Sequence, residues 1–444
     1  MKEVFMKINE MESEVKSYCR TYPTTFCNAR GAFLYDKKNK RYLDFFSGAG
    51  ALNYGHNHPK LKKAVLEYIS ENGLIHGLDM DSVVKTQFLD AFNEIILKPR
   101  NLDYKIQFPG PTGTNAVEAA IRLARKVTGR SLVLSFTHGY HGMTQGALAL
   151  TANAYYRESD SVIQNNVSFL PFDGYMGRSF DTTEYIEKLL SDPSSGTDLP
   201  AAIILETIQG EGGINIASDT WLKNLQKLAK KHGILLIIDD IQVGCGRTGS
   251  FFSFEHSDIE PDMVLLSKSI SGFGLPLSMV LIKPEYDQWK AGEHTGTFRS
   301  NNLALVAATE ALAFWNDPQF HSQLHTKSRL IEVSLEKLKV QFPNLIKDVR
   351  GKGMIYGLEF YDSKITQHIQ KMAFEKSLVV ETSGAYGEVL KLLPPLTIEN
   401  AQLQEGLDTL NKIVNAISVS KRDNKRHFRL AENEPPKVLV GAGA

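Results

Sequence analysis

The pattern of hydrophobic and polar positions changes character along the chain. From about residue 104, short apolar runs at 104–108, 132–136, 201–205, 234–238 and 263–266 alternate with stretches of helical periodicity. Continuous apolar runs separated by amphipathic helices predict parallel strands buried on both faces, the pattern of an α/β domain. In such sheets ligands bind beyond the carboxyl ends of the strands. The residues that follow each run are therefore where chemistry is expected.

The flanks read differently. Residues 1–30 predict a helical arm, extended from Pro23 onward, and 32–35 and 41–45 predict two short strands around the turn Lys38-Asn39-Lys40. Helical periodicity starts at Leu61. From about 302 a long amphipathic helix begins, a second runs to about 342, and strand-like 354–360, 378–381 and 389–393 follow among helices. This predicts a smaller α+β domain. The expected division is an arm and part of the small domain over 1–55, a large domain over 56–305, a C-terminal small domain over 306–420 and a mobile tail over 421–444.

Composition narrows the class. Hydrophobic residues are 42% and charged residues 23% of the 444 positions, which excludes a disordered or fibrous chain. Fifty Lys and Arg balance fifty Asp and Glu, so there is no electrostatic footprint for nucleic acid and no global attraction to an anionic membrane. No apolar stretch is long enough to span a bilayer, and the N-terminus lacks the continuous apolar run of a signal peptide. The three cysteines, Cys19, Cys27 and Cys245, are odd in number and form no CxxC pair. This argues against a disulfide framework and predicts a reducing, cytoplasmic setting.

Each apolar run is followed by a distinctive stretch. After 104–108 come Gly110-Pro111-Thr112-Gly113-Thr114-Asn115 and a helix with Val117, Ile121, Ala124 and Val127 on one face. Small residues at a helix start expose unpaired N–H groups that suit a phosphate, and Thr112 or Thr114 suits a plain N-cap equally well. After 132–136 come His138, Tyr140 and His141, without the carboxylate or cysteine that a metal site would need. Tyr140 between glycines is either one wall of a slot for a flat ligand or an aromatic in a turn. Glu206 and Glu211 follow 201–205, either over a ligand or in a solvated loop.

After 234–238 come Asp239 and Asp240, two acids that are costly beside a buried run unless paired, so at least one is expected to face a cation. Gly244, Gly246 and Gly249 then match a dinucleotide-binding spacing, but the helical pattern that fingerprint requires is missing, and a sharp glycine-rich turn is the better reading. After 263–266 comes Lys268, either a lysine where the chain leaves the sheet or one poised to form a Schiff base. Together these features ask for one ligand with a phosphate, a flat ring, a cationic ring nitrogen and an aldehyde. Pyridoxal 5′-phosphate has all four.

The same motifs carry a resemblance. Asn53-Tyr54-Gly55-His56-Asn57-His58-Pro59, Gly113-Thr114-Asn115-Ala116-Val117-Glu118-Ala119, Tyr140-His141-Gly142, Gly210-Glu211-Gly212-Gly213, Asp239-Asp240-Ile241-Gln242, Ser267-Lys268 and Gly296-Thr297-Phe298 stand in the order found in one family. Over roughly 18–418 the chain resembles the class III aminotransferases of PLP fold type I. The resemblance implies an α/β large domain, with its mostly parallel sheet sandwiched by helices, plus a smaller α+β domain. It implies pyridoxal 5′-phosphate as cofactor, with Lys268 as the Schiff-base lysine and Asp239 on the pyridine nitrogen. Gln242 is then near the ring oxygen, Gly113 and Thr114 in the phosphate turn, Tyr140 the stacking aromatic, and His141 and Glu206 further cofactor contacts. Thr297 would reach the phosphate of a neighbouring subunit, which implies a homodimer, or a higher homo-oligomer, with shared sites. Glu211 would gate the substrate pocket.

Within the class, His76-Gly77-Leu78-Asp79-Met80, Gln107-Phe108-Pro109-Gly110-Pro111 and Leu392-Leu393-Pro394-Pro395 resemble the diaminobutyrate branch of the ectoine-pathway type. That implies amino-acid and 2-oxo-acid substrates, with the terminal amine moving between L-2,4-diaminobutyrate and glutamate. Two positions depart from the family: Asp240 stands where many members have Glu, and Lys391 where several have an arginine for a substrate carboxylate. Lys391 is thus a candidate carboxylate ligand, as a point charge, or a partner of Glu211.

Overall fold

The protein is described by a computed structural model over residues 11–157 and 166–432, with side chains through 419. Its centre is a seven-stranded sheet. The strands are β1 Lys105–Gln107, β2 Val133–Phe136, β3 Val167–Leu170, β4 Ala202–Leu205, β5 Leu235–Asp239, β6 Met263–Leu266 and β7 Met279–Ile282. Their spatial order is β1-β7-β6-β5-β4-β2-β3. β7 runs antiparallel to both its neighbours, and the other pairs are parallel.

Two of these strands went unanticipated. β3 lies at the edge of the sheet and is only partly buried, so it needs no continuous apolar run. β7 is fully buried, but only the short 3-10 turn Lys268–Ser271 and no α-helix separates it from β6, and the alternation of runs and helices passes over it.

Side chains alternate between two cores, as a pleated sheet requires. Ile204, Leu235, Ile237, Met263 and Leu265 face a core covered by the helix Gly113–Thr128, through Val117, Ile121 and Ala124. Ile203, Leu205, Leu236, Ile238, Val264 and Leu266 face the larger core, with Trp221, Leu222, Leu225 and Leu228 of the helix Asp219–His232. Helices on both faces bury every central strand, which is why those strands read as unbroken apolar runs.

The smaller layer is an antiparallel sheet in the order Ile346–Lys352, Ile355–Phe360, Val389–Leu392, Glu381–Ser383. The helices Pro318–Gln341, Ser363–Glu375 and Asn400–Glu432 accompany it. The single run expected at 378–381 divides. Leu378–Val379 pairs in parallel with Arg41–Asp44, and Glu381–Ser383 pairs with Val389–Leu392. The N-terminal strands Phe26–Arg30, Phe33–Asp36 and Arg41–Asp44 thereby join a C-terminal strand in one sheet. Of the helical arm expected at the N-terminus, positions 1–10 lie outside the described residues, and the described part holds the four-residue helix Tyr18–Thr21. The last helix continues through Lys421 to Glu432, where the sequence suggests a tail; residues 433–444 of that tail lie outside the described residues.

Candidate active site

Five strand ends converge. Asp239 closes β5, Lys268 follows β6 on the neighbouring strand, Tyr140 and His141 follow β2, Glu206 follows β4, and the helix that follows β1 starts at Gly113. A cavity of about 300 Å3 is lined by Gly113, Thr114, Tyr140, His141, Glu206, Glu211, Asp239, Gln242 and Lys268. Nine of the eleven residues singled out from the sequence therefore meet in one space. The other two, Thr297 and Lys391, lie outside that lining.

Lys268 adopts φ = +47°, a left-handed conformation that costs a non-glycine residue on the order of 1–2 kcal/mol. Its neighbours are tied down, Ser267 Oγ donating to Leu277 O at 2.8 Å and Ser269 Oγ donating to Gly50 O. Strain held by surrounding bonds is a mark of a functional position. Burial holds the Lys268 ammonium below its ordinary pKa, against the pull of Glu211. Such an amine is more readily neutral, and so nucleophilic or basic, than one in water.

The paired acids separate. Asp239 Oδ2 lies 2.7 Å from His141 Nδ1, and Oδ1 accepts from Ile241 N–H at 3.2 Å. Burial pushes the His141 pKa down, but the hydrogen bond and charge of Asp239 outweigh it and hold it above the ordinary value. Asp239 thus has the His141 imidazole as its partner, and their contact favours the imidazole's charged form. Asp240 points the other way, accepts from Ser253 N–H at 3.0 Å, and is pushed up by burial to about 7. Burial thus favours its protonated form, which avoids the cost of a buried charge.

The helix Gly113–Thr128 begins with Asn115 Oδ1 accepting from Thr112 N–H at 3.1 Å and from Thr112 Oγ1 at 2.8 Å. Thr112 is thus the cap, and the next amides, at Gly113 and Thr114, stand at the positive end of the helix dipole. A Cβ on Gly113 would come 2.9 Å from Ile241 Cδ1, so only glycine fits this cradle without displacement. Thr114 Oγ1 pairs with Thr144 Oγ1 at 2.6 Å, and Glu118 accepts from that second hydroxyl at 2.6 Å and from Gly146 N–H at 2.9 Å.

Glu206 accepts from Tyr140 N–H and from Gly210 N–H, both at 3.0 Å, and fixes the aromatic's turn. Burial raises it to about 7, with His141 in part opposing. Gln242 Nε2 donates to Glu211 Oε1 at 3.0 Å and to Ala49 O at 3.1 Å, while its Oε1 is buried without a partner. A Cβ on Gly210 would fall 1.8 Å from that oxygen.

Glu211 is held from below. Lys391 Nζ lies 2.7 Å from Glu211 Oε1 and 3.0 Å from Glu381 Oε2, and Tyr18 Oη donates to Glu381 Oε1 at 2.7 Å. Burial would raise Glu211, but Lys391 and then Lys268 bring it to about 2. Burial likewise opposes the charge on Lys391, and its two carboxylates hold its pKa above the usual lysine range. Lys391 is 0% exposed, behind Glu211 and off the cavity wall. The glycine-rich turn at Gly244, Gly246 and Gly249 packs structurally, around a fully buried Arg247 that donates to Met354 O at 3.0 Å and to Asn53.

Several participants were not singled out from the sequence. Met143 and Ile241 line the cavity, and Tyr18 and Glu381 complete the Lys391 network; Thr112, read from the sequence only as an N-cap candidate, lines the cavity as well. The position of Thr112 before a glycine-led helix was a usable signal. Nothing local marks Glu381, which is 363 residues from the tyrosine that it accepts from.

The lining fits pyridoxal phosphate. There is a helix N-terminus for the phosphate, a buried carboxylate for the ring nitrogen, the orphaned Gln242 Oε1 beside the ring position, and a lysine amine for the aldehyde. A mostly parallel sheet with the lysine and the aspartate at adjacent strand ends defines a fold type I enzyme. The chain belongs to the class III aminotransferases: residues 17–414 match the family described as Aminotransferase class-III.

Among its relatives is a diaminobutyrate–2-oxoglutarate transaminase of Bordetella parapertussis, 55% identical over 91% of this chain and 94% of that protein. Another, of Halalkalibacterium halodurans, bears the same name and is 51% identical over 93% of this chain and 96% of that protein. In fold the chain is similar to the ornithine aminotransferase of Toxoplasma gondii, with a TM-score of 0.82 at 24% identity, over 94% of this chain and 96% of that one.

Proposed function

We propose that this chain transfers the terminal amine between L-2,4-diaminobutyrate and 2-oxoglutarate, using pyridoxal phosphate held at Lys268. The observation that carries the reading is the single cavity joining Lys268, Asp239, Gln242 and the Gly113 helix start. The names borne by relatives at 51–55% identity support the substrate pair. The ectoine-pathway resemblance supports net formation of diaminobutyrate from aspartate 4-semialdehyde.

Bound there, the cofactor supplies an electrophilic aldehyde and a ring that accepts the electron pair released at the substrate carbon. Gly113 and Thr114 hold its phosphate, and Tyr140 covers its ring. Asp239, oriented by His141, keeps the ring nitrogen protonated. Gln242 Nε2 ties the site to Glu211. Lys268 Nζ, with its depressed pKa, would take the proton from the donor carbon and pass it to the cofactor's aldehyde carbon, the reverse half-reaction carrying it back, a general-base contribution of about 10²–10⁴-fold. Glu211 stays on Lys391 while the donor reacts and leaves it when a second carboxylate must be held.

A homodimer in a reducing, cytoplasmic setting accompanies this reading. Thr297 is exposed and lies beside a patch of exposed apolar residues, Ile75, Leu78, Met80 and Phe298. His76 and Phe298 meet ring to ring at 5.5 Å, and Ser300 Oγ donates to Leu78 O at 3.0 Å, so these two loops form one surface. A patch of this kind suits burial against a second copy.

The test is an absorbance spectrum of the purified protein with pyridoxal phosphate. A visible band should bleach with L-2,4-diaminobutyrate and return with 2-oxoglutarate. A band that answers only to ornithine or 4-aminobutyrate would keep the family and change the substrate, and no band would remove the reading.

A further inference from the structure

With Glu211 closed on Lys391, a substrate carboxylate has no access to that lysine, whose side chain is 0% exposed. Among the described residues lining the catalytic cavity, Lys268 is the single lysine or arginine, and it is the reacting amine. A second cavity of about 460 Å3 adjoins, with Tyr140 and Glu211 in both linings. Among the described residues lining it, the one guanidinium is that of Arg157. Burial keeps His138, on the same wall, below its ordinary pKa, so it adds little charge at neutral pH.

Arg157 is incompletely used. Its Nη2 donates to Ala152 O at 2.9 Å, and the guanidinium lies over Phe169, 5.1 Å from the ring centre. No carboxylate among the described residues pairs with it, and its Nε is buried without a hydrogen-bond partner. Ser383, from the strand Glu381–Ser383, lines the same cavity. It is 5% exposed, and its Oγ also has no partner. Two residues from distant parts of the chain, each with a buried polar atom left without a partner, thus line one space that adjoins the cavity of the reacting lysine. Buried donors without partners are costly, and a ligand that satisfies them recovers that cost. A guanidinium with a hydroxyl matches a carboxylate.

We propose that Arg157 and Ser383 form the subsite for the substrate carboxylate remote from the reacting carbon. The inference rests on the reaction proposed above and extends it. With Glu211 on Lys391, the subsite takes the α-carboxylate of L-2,4-diaminobutyrate and leaves the terminal amine for the Lys268 end. When Glu211 withdraws, it takes the distal carboxylate of 2-oxoglutarate, and Lys391 meets the α-carboxylate. Arg157 therefore serves both half-reactions, and Lys391 serves one.

The experiment compares L-2,4-diaminobutyrate with 1,3-diaminopropane, the same diamine without the carboxylate, on the holoenzyme. Arg157→Met should lower kcat/KM for diaminobutyrate about ten- to a hundredfold, the scale of a charged hydrogen bond, and leave diaminopropane within about twofold. Arg157→Lys should recover part of the loss, and Ser383→Ala should give a smaller loss in the same direction. Calorimetric binding of glutarate, which needs no turnover, should weaken in parallel in Arg157→Met. Equal losses for both amines, or no loss for either, would overturn the subsite. A wild-type enzyme that reacts with ornithine and not with diaminobutyrate would overturn the substrate reading alone, and ornithine against 1,4-diaminobutane would then test Arg157 in the same way.

Discussion

His141 Nδ1 lies 2.7 Å from Asp239 Oδ2, with the two side chains 1% and 5% exposed. The residues are 98 positions apart and come from the ends of different strands. A buried carboxylate that must stay ionised needs a partner, and the imidazole provides one while aiming the acid into the cavity.

His141→Phe keeps the ring's bulk and removes the bond. Turnover should fall about 10–100-fold, the cost common for a residue that orients an active group. The absorbance band of the holoenzyme should change its position or pH dependence, and His141→Asn should restore part of both. A loss of thermal stability with an unaltered spectrum and pH profile would make His141 a packing residue only.

Lys268 combines chemistry with backbone strain. Lys268→Ala should lower kcat by more than about 10²–10⁴-fold, because the base is lost along with the cofactor linkage. The φ of +47° adds a second expectation. Lys268→Gly should be equally inactive but more stable to denaturant than Lys268→Ala, by on the order of 1 kcal/mol. Urea melts of the two variants decide it, and equal midpoints would remove strain from the account.

Lys391 is the sole cation between two buried carboxylates among the described residues. Lys391→Met would remove the ion-pair partner of both, leaving Glu211 with only the more remote Lys268, and should destabilise the protein by about 3–5 kcal/mol. Stopped-flow half-reactions should show the 2-oxoglutarate half more affected than the diaminobutyrate half. Burial already raises the Glu381 pKa, so Glu381→Gln should cost far less stability. If Glu381→Gln proved as damaging as Lys391→Met, the ranking of the two contacts would be wrong.

Asp240 gives a pH signature. Its pKa rises from 3.8 unfolded to about 7 folded, so between those values the native state holds a proton that the unfolded chain has released. Stability must then fall as pH rises through that window. Asp240→Asn removes the term. Melting temperatures measured from pH 4 to 8 should decline less steeply in the variant than in the wild type, and parallel curves would refute a protonated Asp240.

Much of the architecture was legible along the chain, and the reason is local. β4, β5 and β6 are buried on both faces, so each shows an unbroken apolar run, and the chemistry follows directly behind. Lys268, Asp239, Tyr140 and Gly113 could be picked out because the carboxyl ends of parallel strands face one crevice. Where burial is partial, as in β3, or the alternation breaks, as at β7, the pattern was silent.

The tertiary structure alone decided the partners. That Asp239 meets His141 while Asp240 meets Ser253 depends on which face of the sheet each side chain leaves, and the two are adjacent in sequence. That Lys391 sits behind Glu211 depends on Glu381 and Tyr18, and that Arg157 and Ser383 line one cavity depends on segments brought together from distant parts of the chain. Hydrophobic period is written residue by residue. Charge pairing is set by distances of 3 Å between segments hundreds of residues apart, and no local pattern encodes those.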